Sequence, residues 1–204
     1  MATDKKRGLN VPNTLSLLRV LMVPLFIAAL LFMRTETVWD RIVPALIFAL
    51  TALTDMLDGK IARKYNLVTD FGKFIDPLAD KFMVFGSLCA MLVKLDYISG
   101  IFVWVAAIIM LRELAVTSLR LVAASGTKEG GGVVIAASML GKIKTTTQMI
   151  AIIAILLEPL LIPGLFDRGI YAISYVGMAL MLITTVVSGI DYLRAYWPLI
   201  DTNR

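Results

Sequence analysis

Histidine is absent from this sequence, and cysteine occurs once, as Cys89, among 204 residues. Without histidine the chain has no Ser-His-Asp triad, no Cys-His pair and no His-ligated zinc, so acid–base chemistry must fall to carboxylates. A single cysteine forms no intrachain disulfide. Because Cys89 lies in an apolar run, we expect it to be a buried packing residue.

Charge is also scarce, since only 17% of the residues are charged and 59% are hydrophobic. This apolar content exceeds what a soluble domain of this size needs for its core. A membrane-spanning helix needs about 20 mostly apolar residues. Six segments qualify, at about 15–33, 42–62, 73–93, 98–123, 138–157 and 170–193. We therefore predict an all-α, polytopic membrane protein with six transmembrane helices, forming a single domain over residues 1–204.

The basic residues indicate the orientation of these helices. The connections at 34–41, 94–97 and 158–169 lie on one side of the membrane, and the termini with 60–73 and 124–144 lie on the other. The second side is richer in lysine and arginine, so the positive-inside rule places it, with both termini, in the cytoplasm. Because the net charge of +5 is distributed by membrane side and not gathered on a soluble module, we expect no nucleic acid partner.

Four carboxylates stand out between the second and third segments: Asp55, Asp58, Asp76 and Asp80. At 3.6 residues per turn, the first two share one helical face and the last two share a face of the next helix. If these faces meet, crowded carboxylates at a membrane edge require a compensating charge. Oxygen ligands suit Mg²⁺ or Mn²⁺, and four carboxylates can hold a metal pair. Such a pair could clamp the attacking and leaving oxygens of a phosphoryl displacement.

Residues between the carboxylates fit a nucleotide-linked substrate. Gly59 and Ala62 leave a side-chain-poor patch on which a base or ribose could lie. Arg63 offers a planar fork for phosphate oxygens. Gly72 permits a close approach or an unusual backbone turn before the second acidic helix.

The whole pattern is DxxDGxxAR, then eight residues, then GxxxDxxxD. It resembles the signature of the CDP-alcohol phosphotransferase family at every fixed position, over residues 55–80. The resemblance implies a CDP-linked lipid donor, an alcohol acceptor, two divalent ions, CMP as the leaving group, and a homodimer. It implies metal binding by the four aspartates, with Asp80 also the general base. The donor, CDP-diacylglycerol, would be bound by Asp58, Gly59, Ala62, Arg63, Gly72 and Lys73.

Positive charge inside the fourth and fifth segments points to the acceptor. Arg112 and Arg120 are eight residues apart and lie roughly on one helical face. Arg112 lies about 18 Å from the cytoplasmic end of its segment, too deep for easy snorkelling. An internal pair between Arg112 and Glu113 would explain this charge, and an anion site is the alternative. Lys142 and Lys144 could equally be ordinary interfacial lysines.

Arg112-Glu113 together with GKxKTxxQ at 141–148 resembles the branch of the family that forms phosphatidylglycerophosphate. An acceptor that carries a phosphate monoester needs fixed cations, so we predict sn-glycerol 3-phosphate. The predicted acceptor site comprises Arg112, Arg120, Lys142, Lys144 and Thr145, with Glu113 as a further candidate.

Other readings of the same residues remain open. Phosphatidylglycerol or inositol phosphate could be the acceptor within the family. Outside it, intramembrane carboxylates could line the ion path of a divalent-cation or proton-coupled transporter. A transporter would have no need for Gly59, Ala62 and Arg63, and its acidic residues would not cluster toward one side of the membrane.

The first helix adds three candidates, because Asn13, Thr14 and Arg19 partly match the NxxTxxR-like start of related synthases. Arg19 lies about one turn inside the apolar segment, where it either acts in the site or snorkels to the headgroups. We expect the protein in a bacterial cell membrane, with its active site facing the cytoplasm.

Overall fold

A computed structural model describes residues 11–32, 34, 37–65, 70–125 and 138–196. Side chains are described over the same ranges except at 11–12, 56–65, 70, 73 and 124–125. Regular structure in these ranges is entirely helical, as predicted. The helices are α1 (Val11–Phe32), α2 (Trp39–Tyr65), α3 (Asp70–Lys94), α4 (Ser99–Ser125), α5 (Met139–Leu161), the short α6 (Pro163–Phe166) and α7 (Ala172–Tyr196).

Among the described residues, four of the six long helices are long and apolar enough to cross a membrane: Asn13–Phe32, Ser99–Ala123, Met139–Leu161 and Ala172–Tyr196. Large apolar side chains such as Trp104 and Leu111 are exposed on them, which indicates a membrane protein because soluble monomers rarely expose wide apolar surfaces. The helices α2 and α3 have comparable lengths but carry the charged stretch. Six spans therefore remain a prediction.

The helices divide into two units, Met1–Lys94 and Leu95–Arg204. In the first unit α1 packs against both α2 and α3. A Cβ at Gly86 of α3 would lie 2.9 Å from Val23 Cγ1 of α1, so glycine permits this close approach. In the second unit α7 packs against α4 and α5. A single domain over residues 1–204 remains a prediction.

The burial predicted for Cys89 is wrong, because the residue is exposed. Its neighbours on α3, Leu88, Ala90 and Met91, are buried. Cys89 therefore lies on an outer face of α3. In a helix with apolar residues on several faces, hydrophobicity alone does not distinguish the packed positions from the outer ones.

Glu158 joins α5 to α7 in the second unit. Its carboxylate is fully buried and accepts hydrogen bonds from the backbone N–H of Ile173 at 2.7 Å and of Ser174 at 3.1 Å, and from the Ser174 hydroxyl. These N–H groups belong to the first turn of α7, where a helix has unsatisfied donors and a partial positive charge. Glu158 therefore caps α7 from a different helix.

We expect Glu158→Ala to lower the free energy of unfolding by about 2–3 kcal/mol, because charge-assisted hydrogen bonds to buried donors are lost. Glu158→Gln should lower the free energy of unfolding by less than half as much, since the glutamine amide oxygen still accepts a hydrogen bond from the first turn of α7. Unfolding of the detergent-solubilised variants would measure both. The exposed carboxylate of Asp167 provides a matched control, and an equal loss in Asp167→Ala would contradict the cap.

Candidate active site

The N-terminal half of α1 carries a buried polar stripe. Asn13, Ser16 and Arg19 are spaced three residues apart and are all buried, so they lie on one face of the helix. The same face continues with Val23 and Phe26, which are buried apolar residues. α1 therefore presents polar side chains to its neighbours at one end and apolar side chains further along.

Arg19 connects this stripe to α2. Its Nη1 atom lies 2.5 Å from Oδ1 of Asp55, and the Arg19 side chain is 1% exposed. The guanidinium therefore points into the unit and does not snorkel to the surface. The snorkelling considered from the sequence is therefore wrong, and a role for Arg19 in the site remains a prediction.

Ser16 connects the stripe to α3, because its hydroxyl donates to Asp76 Oδ1 at 2.5 Å. Residues three apart on a helix have Cβ atoms about 5–6 Å apart. Ser16 and Arg19 therefore bring Asp55 and Asp76, from two different helices, to the same face of α1. Sequence reasoning missed Ser16, although its spacing between Asn13 and Arg19 was a detectable signal.

The remaining predicted residues of the acidic stretch are placed as follows. Asp80 follows Asp76 by one turn of α3 and is partly buried, and Gly72 is buried. Thr14 is exposed on α1. The side chains of Asp58, Gly59, Ala62, Arg63 and Lys73 lie outside the described residues.

Among the described side chains, no three acidic or cysteine residues lie close enough to hold a metal ion. Since Asp58 is outside that set, a cluster of four carboxylates remains a prediction. The donors that the structure does describe fit a hard cation in their chemistry. They are carboxylates from α2 and α3, and Asp55 and Asp76 are each fixed by a partner on α1.

A second polar cluster lies between α4, α5 and α7. The Glu113 carboxylate is paired with Lys144 Nζ and with Arg112 Nη1, the latter at 3.0 Å. Arg112 Nη2 donates to Ser188 Oγ at 2.6 Å. A Cβ at Gly189 would lie 3.1 Å from Arg112 Cγ, so glycine leaves room for the arginine. The internal pair considered from the sequence is therefore present, and it includes Lys144.

The two arginines predicted to share a face of α4 meet at Tyr192 of α7. Arg120 Nη2 donates to the Tyr192 hydroxyl at 2.5 Å. The guanidinium carbons of Arg112 and Arg120 lie 5.7 and 5.1 Å from the centre of the ring, within cation–π range. Arg112, Arg120 and Lys144 with the one carboxylate of Glu113 have a net charge of +2. We call these four residues the cationic cluster.

Two predicted acceptor residues do not join this cluster. Lys142 is exposed on α5, and the Thr145 hydroxyl donates to the carbonyl of Gly141 at 3.1 Å. Within the part of the chain that the structure describes, neither side chain pairs with the cationic cluster. Sequence reasoning missed Ser188 and Tyr192. It interpreted α7 as a packing helix, and isolated serine or tyrosine residues form no recognisable sequence motif.

Comparison with known proteins places these observations in a family. The family model of the CDP-alcohol phosphatidyltransferases matches residues 9–189, which include both the α1 stripe and the cationic cluster.

The chain is 40% identical to a CDP-diacylglycerol–glycerol-3-phosphate 3-phosphatidyltransferase of Bacillus subtilis, over 95% of this chain and 98% of that protein. It is 38% identical to a probable phosphatidylglycerophosphate synthase of Mycobacterium tuberculosis, over 92% of this chain and 82% of that protein. A Yersinia enterocolitica protein with the same name as the Bacillus enzyme is 35% identical, over 93% of this chain and 96% of the relative. The chain therefore belongs to the CDP-alcohol phosphatidyltransferase family, as the acidic pattern at 55–80 predicted.

Proposed function

We propose that this membrane protein transfers the phosphatidyl group of CDP-diacylglycerol to sn-glycerol 3-phosphate in phospholipid biosynthesis. The products are phosphatidylglycerophosphate and CMP. The observation that carries the proposal is the 40% identity, over nearly the whole of both chains, to a relative named for this reaction. Relatives at 35–38% identity carry names for the same chemistry.

The acidic stretch is the proposed centre of the reaction. Two divalent ions, Mg²⁺ or Mn²⁺, held by Asp55, Asp58, Asp76 and Asp80 would neutralise the diphosphate of the donor. The contacts of Arg19 with Asp55 and of Ser16 with Asp76 support this assignment, because outer partners fix the orientation of ligating carboxylates.

Donor binding is assigned to the rest of the signature. Arg63 and Lys73 would bind phosphate oxygens, while Asp58, Gly59, Ala62 and Gly72 would contact the nucleotide part of the donor. These roles follow the family pattern. Asn13 and Thr14, at the beginning of α1, are further candidates at this end of the unit.

The transfer itself needs one proton acceptor. The acceptor hydroxyl oxygen bonds to the phosphorus that carries the diacylglycerol, and the bond from that phosphorus to the CMP oxygen breaks. The hydroxyl proton passes to a carboxylate of Asp80. CMP leaves with the bonding electron pair. Because a carboxylate is a weak base, its placement beside the hydroxyl matters more than its basicity.

The cationic cluster is the proposed acceptor site. Its net charge of +2 complements a phosphate monoester, which carries about −1.5 to −2 at pH 7. The buried Nε atom of Arg112 has no hydrogen-bond partner among the described residues, and a buried donor of this kind is normally satisfied. Phosphatidylglycerol, with a singly charged phosphodiester, needs less positive charge. Lys142 and Thr145 remain in the proposed site because they lie beside Lys144 in the first turns of α5.

We further propose that all six long helices cross a bacterial cell membrane, with both termini and the active site on the cytoplasmic side. The excess of lysine and arginine on that side supports the orientation, and the relatives compared above are bacterial proteins. A homodimer is the expectation from the family.

The test is CMP release by the purified protein with CDP-diacylglycerol and Mg²⁺. Glycerol 3-phosphate, phosphatidylglycerol and inositol phosphate are added in separate reactions, each repeated with EDTA. We expect release with glycerol 3-phosphate only, and none with EDTA. Metal-dependent release with a different acceptor would overturn the acceptor assignment. An absence of release with all three would favour the transporter.

A further inference from the structure

We infer that Tyr192 is a positioning residue that holds Arg120 and the beginning of α5 in place for the acceptor phosphate. This inference rests on the proposed function, because it assigns a role within the proposed acceptor site. Tyr192 is 1% exposed, although it lies near the end of α7, and its buried hydroxyl is the point where three helices of the second unit meet.

The Tyr192 hydroxyl oxygen accepts two hydrogen bonds from different elements. Arg120 Nη2 of α4 donates at 2.5 Å, and the backbone N–H of Ser138 donates at 2.9 Å. Ser138 is also the N-cap of α5, since its Oγ accepts from the N–H of Gly141 at 3.1 Å. The phenol therefore fixes a guanidinium and a helix cap relative to one another.

The chemistry of a phenol suits this role better than that of a carboxylate. Arg112 and Lys144 share the carboxylate of Glu113, which compensates part of their charge. Arg120 has no acidic partner in the described part of the chain and is instead held by a neutral oxygen. Its orientation is thus fixed while its full charge stays available to a phosphate, and its guanidinium has five N–H donors of which the phenol uses one.

The ring of Tyr192 contributes as well as its oxygen. Arg112 and Arg120 both lie over it, and the negative face of an aromatic ring attracts cations. Two like charges are thereby held near one another before the acceptor arrives. Fixing the cations in advance lowers the entropic cost of binding the phosphate. Loss of the phenol oxygen should therefore raise the KM for the acceptor and leave kcat unchanged.

The test is steady-state kinetics of Tyr192→Phe, which removes one oxygen and keeps the ring. We expect the KM for glycerol 3-phosphate to rise roughly tenfold, corresponding to one hydrogen bond to a charged group. The KM for CDP-diacylglycerol and kcat should stay within about twofold. Tyr196→Phe is the matched control, because Tyr196 stacks on Tyr192 with ring centres 6.1 Å apart. It should keep the wild-type KM for both substrates.

A kinetic cycle with Arg120→Gln separates this inference from the proposed function. If Arg120→Gln raises the acceptor KM and Tyr192→Phe adds nothing further in that background, Tyr192 acts through Arg120. If Arg120→Gln raises the KM but Tyr192→Phe has the wild-type value, the positioning role is wrong and the acceptor site survives. If Arg120→Gln itself changes nothing, the acceptor site is misplaced.

Arg120→Lys keeps the inference testable if Tyr192→Phe does not fold. Lysine keeps the charge but is a flexible point charge without the planar fork that reaches the phenol. We expect Arg120→Lys to raise the acceptor KM about as much as Tyr192→Phe would, roughly tenfold. A wild-type KM would mean that orientation by the phenol is irrelevant, which would overturn the inference.

Discussion

Asp76→Asn is expected to reduce phosphatidyl transfer roughly a thousandfold or more, while most of the protein stays folded. The proposed role of Asp76 is to ligate divalent ions at the diphosphate, and loss of preorganised charge stabilisation has costs of this order. The fold should tolerate the change, because the asparagine oxygen can still accept the hydrogen bond that Ser16 donates to Asp76. The catalytic loss would then be separate from any structural loss.

The measurement has two parts, CMP release and Mn²⁺ binding followed by electron paramagnetic resonance. Asp96→Asn is the matched control, because Asp96 is an exposed aspartate in the connection between α3 and α4. It should keep both activity and Mn²⁺ affinity. Wild-type activity in Asp76→Asn would contradict the metal assignment, and lost activity with unchanged Mn²⁺ affinity would assign Asp76 a role other than ligation.

The sequence predicted the elements of this protein better than their contacts. The six long helices that the structure describes overlap the six predicted apolar segments, since apolar runs of spanning length leave few alternatives. Arg19 was singled out because a charge inside an apolar segment is costly without a partner. The structure supplies that partner as Asp55, which no local pattern could have identified.

The contacts that were missed come from residues without a local signature. Serine and tyrosine are ordinary residues of membrane helices. Ser16 and Tyr192 therefore become informative only when their partners on other helices are known. Cys89 shows the same limit for burial. An apolar segment can place apolar residues on every face, so periodicity does not single out the packed one.

The ion pairs of Glu113 explain why α4 and α5 carry charged residues inside apolar segments. For Arg112 the sequence left open an anion site or an internal pair. The structure contains the internal pair with Glu113, and the anion site remains a proposal. Glu113 is buried between Arg112 and Lys144, which makes it the carboxylate that allows two cations to remain inside the unit. Its removal should therefore affect stability before it affects chemistry.

We expect Glu113→Gln to lower the free energy of unfolding by about 3–5 kcal/mol, because it removes the buried carboxylate with which Lys144 and Arg112 pair. Lys144→Met should lower the free energy of unfolding by less than Glu113→Gln does, since Glu113 keeps Arg112 as a partner. The double variant, Glu113→Gln with Lys144→Met, should be more stable than Glu113→Gln alone, because it also removes the buried charge that had paired with the Glu113 carboxylate.

Unfolding in detergent of all four proteins measures the coupling between the two sites, for which contacting charges give about 0.5–3 kcal/mol. If the losses of unfolding free energy in the two single variants add up to the loss in the double variant, the ion pair between Glu113 and Lys144 does not stabilise the protein. The cycle also bears on the acceptor site, because the net charge of the cationic cluster is +2 only with Glu113 ionised. If the double variant folds and binds glycerol 3-phosphate as wild type does, Lys144 supports the structure of the site and Arg112 with Arg120 binds the phosphate.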